Sequence, residues 1–233
     1  MRQRWADYRV FWREFRQQYH TTGALLPSGR ALSRALARFV REGDAALPNK
    51  VRDGVPARIE DASLGRRILE VGPGTGAVTG PIIQAMRPTD RLDLVERNDQ
   101  FVAQLRARLA EDPAFASVTG RVQLLHASVE DLPEDPPYDL IVSGLPLNNF
   151  AAETVDSILN KLRRLLAPGG TLSFFEYVAV RKAKSAISSK AERERLSGIG
   201  SIFEDMLGKH EVRRDLVLAN VTPAWVHHVR FDS

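Results

Sequence analysis

Seven consecutive residues, Glu70-Val71-Gly72-Pro73-Gly74-Thr75-Gly76, carry the sharpest chemical signal in the chain. Glycines at this spacing let a backbone approach a ligand closely, and a helix opening just behind them offers free N–H groups to a carboxylate or phosphate. Twenty residues after Gly76 stands Glu96, followed by Arg97. A carboxylate at that distance, on the end of the next strand, accepts hydrogen bonds from both hydroxyls of a ribose. The spacing is G-x-G-x-G with an acid two residues ahead, whereas a dinucleotide fingerprint reads G-x-G-x-x-G. A nicotinamide site and a purely structural turn are the competing readings of the same loop.

These residues need strands to hold them. Arg67–Val71 reads as a short apolar strand ending in the glycine loop, with a helix from Ala77 to Arg87. Arg91–Glu96 is a second strand, followed by a helix from Asp99 to Glu111. Arg121–His126 and Tyr138–Ser143 are the third and fourth, and a helix from Ala151 to Leu166 stops at Pro168-Gly169-Gly170. Thr171–Val180 is a fifth strand, after which a basic, helix-prone stretch runs to Lys209. The runs 214–221 and 225–231 flank Thr222-Pro223 and read as an antiparallel hairpin. Strand–helix alternation implies a mostly parallel, seven-stranded sheet with helices on both faces. Three regions separate: 1–42, Arg- and aromatic-rich with helical spacing; 43–65, a Gly- and Pro-containing connection; and 66–233, the α/β domain.

Composition narrows the classes further. With 233 residues, 43% hydrophobic and 27% charged, the chain can bury a core, which excludes disorder throughout. No apolar run reaches the about 18 residues of a membrane span. Cysteine is absent, which excludes disulfides, thiolate metal sites and a thiol nucleophile, and no metal-ligand cluster is visible. The first ten residues lack the apolar core of a signal peptide, so a cytoplasmic location is expected. The net charge of +4 is unevenly spread: residues 1–41 hold nine Arg against Asp7 and Glu14. Such a segment suits an anionic partner, nucleic acid or acidic lipid.

The run ILEVGPGTG together with Glu96 resembles the S-adenosylmethionine site of class I methyltransferases, over roughly residues 66–233. The resemblance implies a Rossmann-like sheet with a C-terminal antiparallel hairpin. It implies S-adenosylmethionine as cofactor, contacted by Glu70, Gly72, Pro73, Gly74, Thr75, Gly76, Glu96 and Arg97. It also implies adenine contacts at Ser128 and Val129 after strand three, and the transferred methyl beside Ser143 after strand four.

Two features bear on what is methylated. Adenine and cytosine amino-methyltransferases carry Asn or Asp, then Pro-Pro or Leu-Pro, then an aromatic, at the end of strand four. Here the run is Ser143-Gly144-Leu145-Pro146-Leu147, so Gly144 takes the polar position and Leu147 the stacking one. Leu-Pro is shared with ribosomal RNA adenine dimethyltransferases, yet a nucleic-acid substrate fits these two residues poorly. At the front, Trp5, Tyr8, Trp12, Phe15 and Tyr19 recur at helical spacing and, with Phe11, fall within an arc of about 120°. Arg2, Arg9, Arg13 and Arg16 line one flank. Rings beside guanidinium groups suit the interface of an anionic bilayer; the same stripe packed on the domain makes a lid over the cofactor.

The run Tyr19-His20-Thr21-Thr22-Gly23-Ala24-Leu25-Leu26-Pro27-Ser28-Gly29-Arg30, then ILEVGPGTG, then SGLPL, resembles bacterial phospholipid N-methyltransferases. These methylate phosphatidylethanolamine stepwise toward phosphatidylcholine from the membrane surface. The resemblance implies an amphipathic N-terminal helix, a peripheral position on the inner face of the cell membrane, and Ser28 as a cofactor contact. The competing functions are an rRNA or DNA adenine N6-methyltransferase and a non-catalytic membrane-binding protein on the same fold.

An amine acceptor must lose a proton before it attacks. The groups placed to take it are Tyr177 at the end of strand five and Tyr19 at the end of the aromatic stripe. Glu176 neighbours Tyr177, but alternate strand residues face opposite ways, and Tyr177 is the favoured of the two. Arg181 and Lys182 offer cations to a lipid phosphate; a solvated helical face explains them equally well. His227 and His228 stand on the last strand with opposite facing, and either is within reach of the cleft.

Overall fold

The computed structural model describes residues 27–47, 65–116, 118–177, 190–219 and 223–231. Its centre is a seven-stranded sheet in the order β3-β2-β1-β4-β5-β7-β6. The strands are β1 (Arg67–Val71), β2 (Arg91–Glu96), β3 (Val122–His126), β4 (Tyr138–Ser143), β5 (Leu166–Tyr177), β6 (Glu211–Val217) and β7 (Ala224–Val229). β1 to β5 pair in parallel, and β7 inserts antiparallel between β5 and β6. Buried on both faces, the central strands are near-continuous apolar runs rather than alternating ones.

The helices are α1 (Pro27–Leu36), α2 (Arg38–Glu42), α3 (Thr79–Ala85), α4 (Asp99–Glu111), α5 (Pro113–Ala116), α6 (Ala152–Leu165) and α7 (Lys190–His210). Asn98 starts α4 by accepting hydrogen bonds from the N–H groups of Gln100 at 3.0 Å and Phe101 at 3.2 Å, a side-chain cap. α6 puts Val155, Ile158, Leu159, Leu162 and Leu165 on one buried face.

The strands' two faces carry two apolar clusters. Leu69, Val71, Ile141 and Phe174 point to the side of α6 and α7, against Ile158, Ile199 and Phe203. Ile68, Leu92, Leu140 and Phe175 point to the other, against α1, α2 and α3 through Leu36, Phe39 and Ile82. The described part of the N-terminal region is thus built into the sheet's packing. Buried Arg66 ties it down, pairing with Asp90 at 2.6 Å and donating to the Val40 carbonyl at 2.9 Å. Breaking such a buried pair on one side costs about 3–5 kcal/mol.

The sequence reading is adjusted at several boundaries. The first helix of the domain starts at Thr79 rather than Ala77, because Gly76 (φ 82°) still belongs to the turn. β5 begins at Leu166 rather than Thr171, with a register shift opposite Tyr138 and Leu140 and with Gly169 at φ 72°. Both hairpin strands start and end earlier than their apolar runs suggest.

Candidate active site

The glycine loop, the end of β2 and the turn after β4 meet at the carboxyl edge of the sheet. Gly72, Gly74 and Gly76 have φ of 68°, 57° and 82°, values open to glycine and costly for side chains. Gly72 also has no room: a Cβ there would stand 2.6 Å from Cδ2 of Leu145. The loop is pinned by Gly72 N–H donating to the Val95 carbonyl at 3.0 Å and Gly76 N–H to the Pro73 carbonyl at 2.8 Å. Arg108 of α4 clamps it from behind, donating from Nη1 to the carbonyls of Thr75 at 3.0 Å and Gly76 at 3.2 Å. The sequence reading missed Arg108, and an arginine in the last turn of a helix gives no signal of such a role.

Glu96 is 2% exposed and stands at the centre. Its Oε1 accepts from the N–H groups of Arg97 and Asn98, both at 2.8 Å, and its Oε2 from Gly74 at 3.1 Å. Burial raises its pKa above the ordinary carboxylate value, against the pull of those three donors. Glu70 differs. It is fully buried, neither carboxylate oxygen has a hydrogen-bond partner, and desolvation pushes its pKa up to about 8. The neighbouring Thr79 hydroxyl offsets only part of that.

The cleft in front of these groups is lined by Val71, Gly72, Val95, Glu96, Arg97, Ala127, Ser128, Val129 and Leu145, with about 260 Å³ of empty space, part of it open to solvent. The structure therefore brings Gly72, Glu96, Arg97, Ser128 and Val129 to one cavity. Pro73, Gly74, Thr75 and Gly76 form the loop beside it. Ser128 leads into a short 3-10 turn, Val129–Asp131. Ser143 is fully buried, and its Oγ accepts from the Leu145 N–H at 3.4 Å, so it shapes the turn after β4. Gly144 donates to the Val71 carbonyl at 2.8 Å, and a Cβ on it would stand 2.8 Å from the Gly72 carbonyl oxygen. Side chains are thus excluded where two loops touch, which is why glycine replaces a polar residue at that position.

At the β5 end, Tyr177 packs edge-on against Phe175, ring centres 5.1 Å apart, on the face of α1 and α2. Glu176 points to the opposite face. The two histidines are buried in side-chain pairings rather than lining the cleft. His228 hydrogen-bonds Ser173 at 2.8 Å and Asp215 at 3.3 Å, and burial keeps its pKa below the ordinary histidine value. Burial alone would raise Asp215, yet His228, Arg213 and Arg38 hold it well below the usual carboxylate range. Arg38 of α2, 2.7 Å from Asp215, carries this network into the N-terminal region. Ser28 lies in the first turn of α1, and its side chain is outside the described residues, as are Trp5, Arg9, Trp12, Arg13, Arg16, Tyr19, Arg181 and Lys182. Among the described residues no group of three or more His, Asp or Glu is arranged to hold a metal, and no helix is long and apolar enough to cross a membrane.

The donor set suits a nucleoside carrying an amino acid. Glu96 faces the open cleft with lone pairs to spare for hydroxyls, and the buried Glu70 carboxylate, without a hydrogen-bond partner, suits an ammonium group. Residues 68–170 match a family model described as a methyltransferase domain. The ornithine lipid N-methyltransferase of Singulisphaera acidiphila is 32% identical over 108 residues, 46% of this chain and 56% of that protein. The ubiquinone/menaquinone biosynthesis C-methyltransferase UbiE of Ectopseudomonas mendocina is 31% identical over 114 residues, 48% and 42% of the two chains. The chain spans about half the length of these curated relatives. Among solved structures, the CurJ carbon methyltransferase superposes with a TM-score of 0.58 at 16% identity, covering 86% of this chain and 54% of that one. The O-methyltransferase TomG from Streptomyces achromogenes, solved with S-adenosylmethionine, gives 0.53 at 20% identity, covering 88% and 80%. The fold is the Rossmann-like one of these methyltransferase structures, residues 68–170 match a methyltransferase domain, and the glycine loop with Glu96 fits S-adenosylmethionine as cofactor.

Proposed function

We propose that this domain works at a membrane surface, transferring methyl groups to the amine of phosphatidylethanolamine and of its mono- and dimethyl forms, toward phosphatidylcholine. The observation that carries this reading is the similarity over 108 residues to an enzyme named for N-methylation of a lipid. The YHTTGALLPSGR and SGLPL runs support it, as does Gly144, where a flipped nucleobase would need a polar side chain. The basic, aromatic front of the chain supports a bilayer as the partner, with Trp5, Arg9, Trp12, Arg13 and Arg16 at the interface and Arg181 and Lys182 near lipid phosphates.

When bound, the cofactor supplies an electrophilic methyl group. Glu96, which fixes the glycine loop, would hold the ribose hydroxyls. Glu70 would offer its carboxylate to the cofactor's ammonium, and Ser128 and Val129 would border the adenine. The acceptor, a primary amine with a pKa of about 10 in water, is mostly ammonium at neutral pH. A desolvated site beside a cationic donor lowers that value, because both effects disfavour the ammonium form. In-line attack then depends on alignment, which a rigid sheet edge supplies.

The UbiE similarity favours a second reading, methyl transfer to carbon. Thin-layer separation of lipids after incubating the protein with radiolabelled methyl donor and vesicles of phosphatidylethanolamine and phosphatidylglycerol decides between them. Label in mono-, di- and trimethylated phospholipid is the expected result. Label confined to a quinone precursor, or to an oligonucleotide in a parallel reaction, overturns the proposal.

A further inference from the structure

A file of three side chains, a buried histidine between two partly buried carboxylates, runs down the α7 face of the sheet from the carboxyl end of β5. Glu176 stands at the carboxyl end of β5. His227 lies one strand over on β7, 2% exposed, its ring stacked on Phe174 with centres 5.2 Å apart. Nδ1 of His227 is 2.6 Å from Oε1 of Glu211 at the start of β6. Nε2 of His227 is 3.8 Å from Oε2 of Glu176, and it is buried without a hydrogen-bond partner.

The chemistry of the file follows from its ends. An ionised Glu211 accepts only, so the imidazole carries its proton on Nδ1 and presents the Nε2 lone pair toward Glu176. Closing 3.8 Å to a hydrogen bond takes a movement of about 1 Å. A proton arriving on Glu176 therefore has a basic nitrogen behind it, and an imidazolium formed there lies between two carboxylates. An isolated buried histidine has no such stabilisation.

Sheet register places the outer end of the file. Val71 pairs with Ser143, and Val142 pairs with Ser173, so Glu176 rises beyond the end of β4, toward the height of the turn carrying Leu145. Leu145 lines the cofactor cleft and belongs to the same apolar cluster as Phe174. The short turn Leu147–Asn149 packs against β5 from that side. Tyr177 points to the opposite face, against Phe175.

We propose that Glu176 is the residue that meets the acceptor ammonium and takes its proton, with His227, set by Glu211, as the positioning residue behind it. This rests on the acceptor being an amine, as in the function proposed above. The N–H bond breaks as an O–H bond forms on Glu176, and the freed lone pair makes the new C–N bond while the C–S electron pair stays on sulfur. The proton shifts to His227 Nε2 during transfer and leaves through Glu176 once the product has gone, which restores the starting tautomer.

The test uses the full chain, radiolabelled methyl donor and phosphatidylethanolamine vesicles, with S-adenosylhomocysteine binding and thermal melting measured on every variant. Glu176→Gln is expected to lower kcat by about 100-fold or more, the range of general-base catalysis, with the product-cofactor affinity unchanged. Glu176→Asp is expected to recover part of that loss, which a packing defect would not show. His227→Gln is expected to lower kcat about tenfold with the lipid KM unchanged. Glu176→Gln within threefold of wild type, or Tyr177→Phe losing turnover while Glu176→Gln keeps it, overturns the assignment. If the wild type labels a different amine, the function proposed above fails and the same variants are measured on that amine with the same criteria. If it labels only carbon or oxygen acceptors, both proposals fall.

Discussion

The carboxylate of Glu96 accepts a hydrogen bond from the backbone N–H of Gly74 at 3.1 Å, so the acidic end of β2 and the middle of the glycine loop hold each other in place. One side chain thus shapes the loop and faces the cleft that the loop borders. Glu96→Ala takes the acceptor from three N–H donors, of which that of Gly74 is buried and costs about 1–3 kcal/mol to leave unpaired, and removes the proposed ribose acceptor. Calorimetric titration with S-adenosylhomocysteine is expected to show affinity down by about 100-fold or more, with a lowered melting temperature. Glu96→Gln keeps an oxygen acceptor and is expected to fall between. Unchanged affinity in both would contradict the ribose role.

Glu70 makes stability depend on pH in an unusual direction. Its folded pKa of about 8 lies above the ordinary 4.5, so between those values the folded chain keeps a proton that the unfolded chain has released. The contribution of Glu70 to stability therefore falls as pH rises from 4.5 to about 8 and levels off above. Glu70→Gln is expected to remove this contribution and, in chemical unfolding at pH 8.5, to be more stable than wild type by on the order of a few kcal/mol. A cationic ligand beside the carboxylate reverses its preference, so S-adenosylhomocysteine binding at pH 7 is expected to release a proton. Titration in buffers of different ionisation enthalpy reads that release, and wild-type and variant enthalpies with the same buffer dependence would count against it.

Gly144 is set by contact, not by turn geometry alone. Gly144→Ala places a methyl group 2.8 Å from the Gly72 carbonyl oxygen, and backbone must give way. The expected cost is about 1–3 kcal/mol in chemical unfolding, the range for overpacking. S-adenosylhomocysteine affinity is expected to drop about tenfold, because the displaced residue belongs to the cofactor loop. A variant with wild-type stability would show that the two loops are less tightly matched.

Deletion of residues 1–18 removes five arginines and most of the aromatic stripe. Each basic group near an anionic surface contributes about 1 kcal/mol, so sedimentation with phosphatidylglycerol vesicles is expected to fall steeply. Undiminished sedimentation would assign the segment to covering the cleft instead.

Strands β1, β2 and β4 and helix α4 were legible before any coordinates, each within a residue of its final bounds, because apolar runs and glycine punctuation are local signals. The glycine loop and Glu96 were legible for the same reason: their chemistry lies in residue type and short spacing. Other features depend on partners far along the chain. Arg108 clamps residues 32 and 33 positions before it, and the Glu176–His227–Glu211 file draws on three strands. Parity along β5 told the sequence reading that Glu176 and Tyr177 face opposite ways, but which of them shares a face with the turn after β4 was decided by strand order and register. The amino-acid pattern alone determined the sheet, the ligand loop and its acid, since those follow from periodicity and backbone freedom. Only the tertiary structure could leave Glu70 without a partner, make Gly144 obligatory and bring a histidine between two carboxylates, because burial and close approach belong to the packed molecule and to no segment of it.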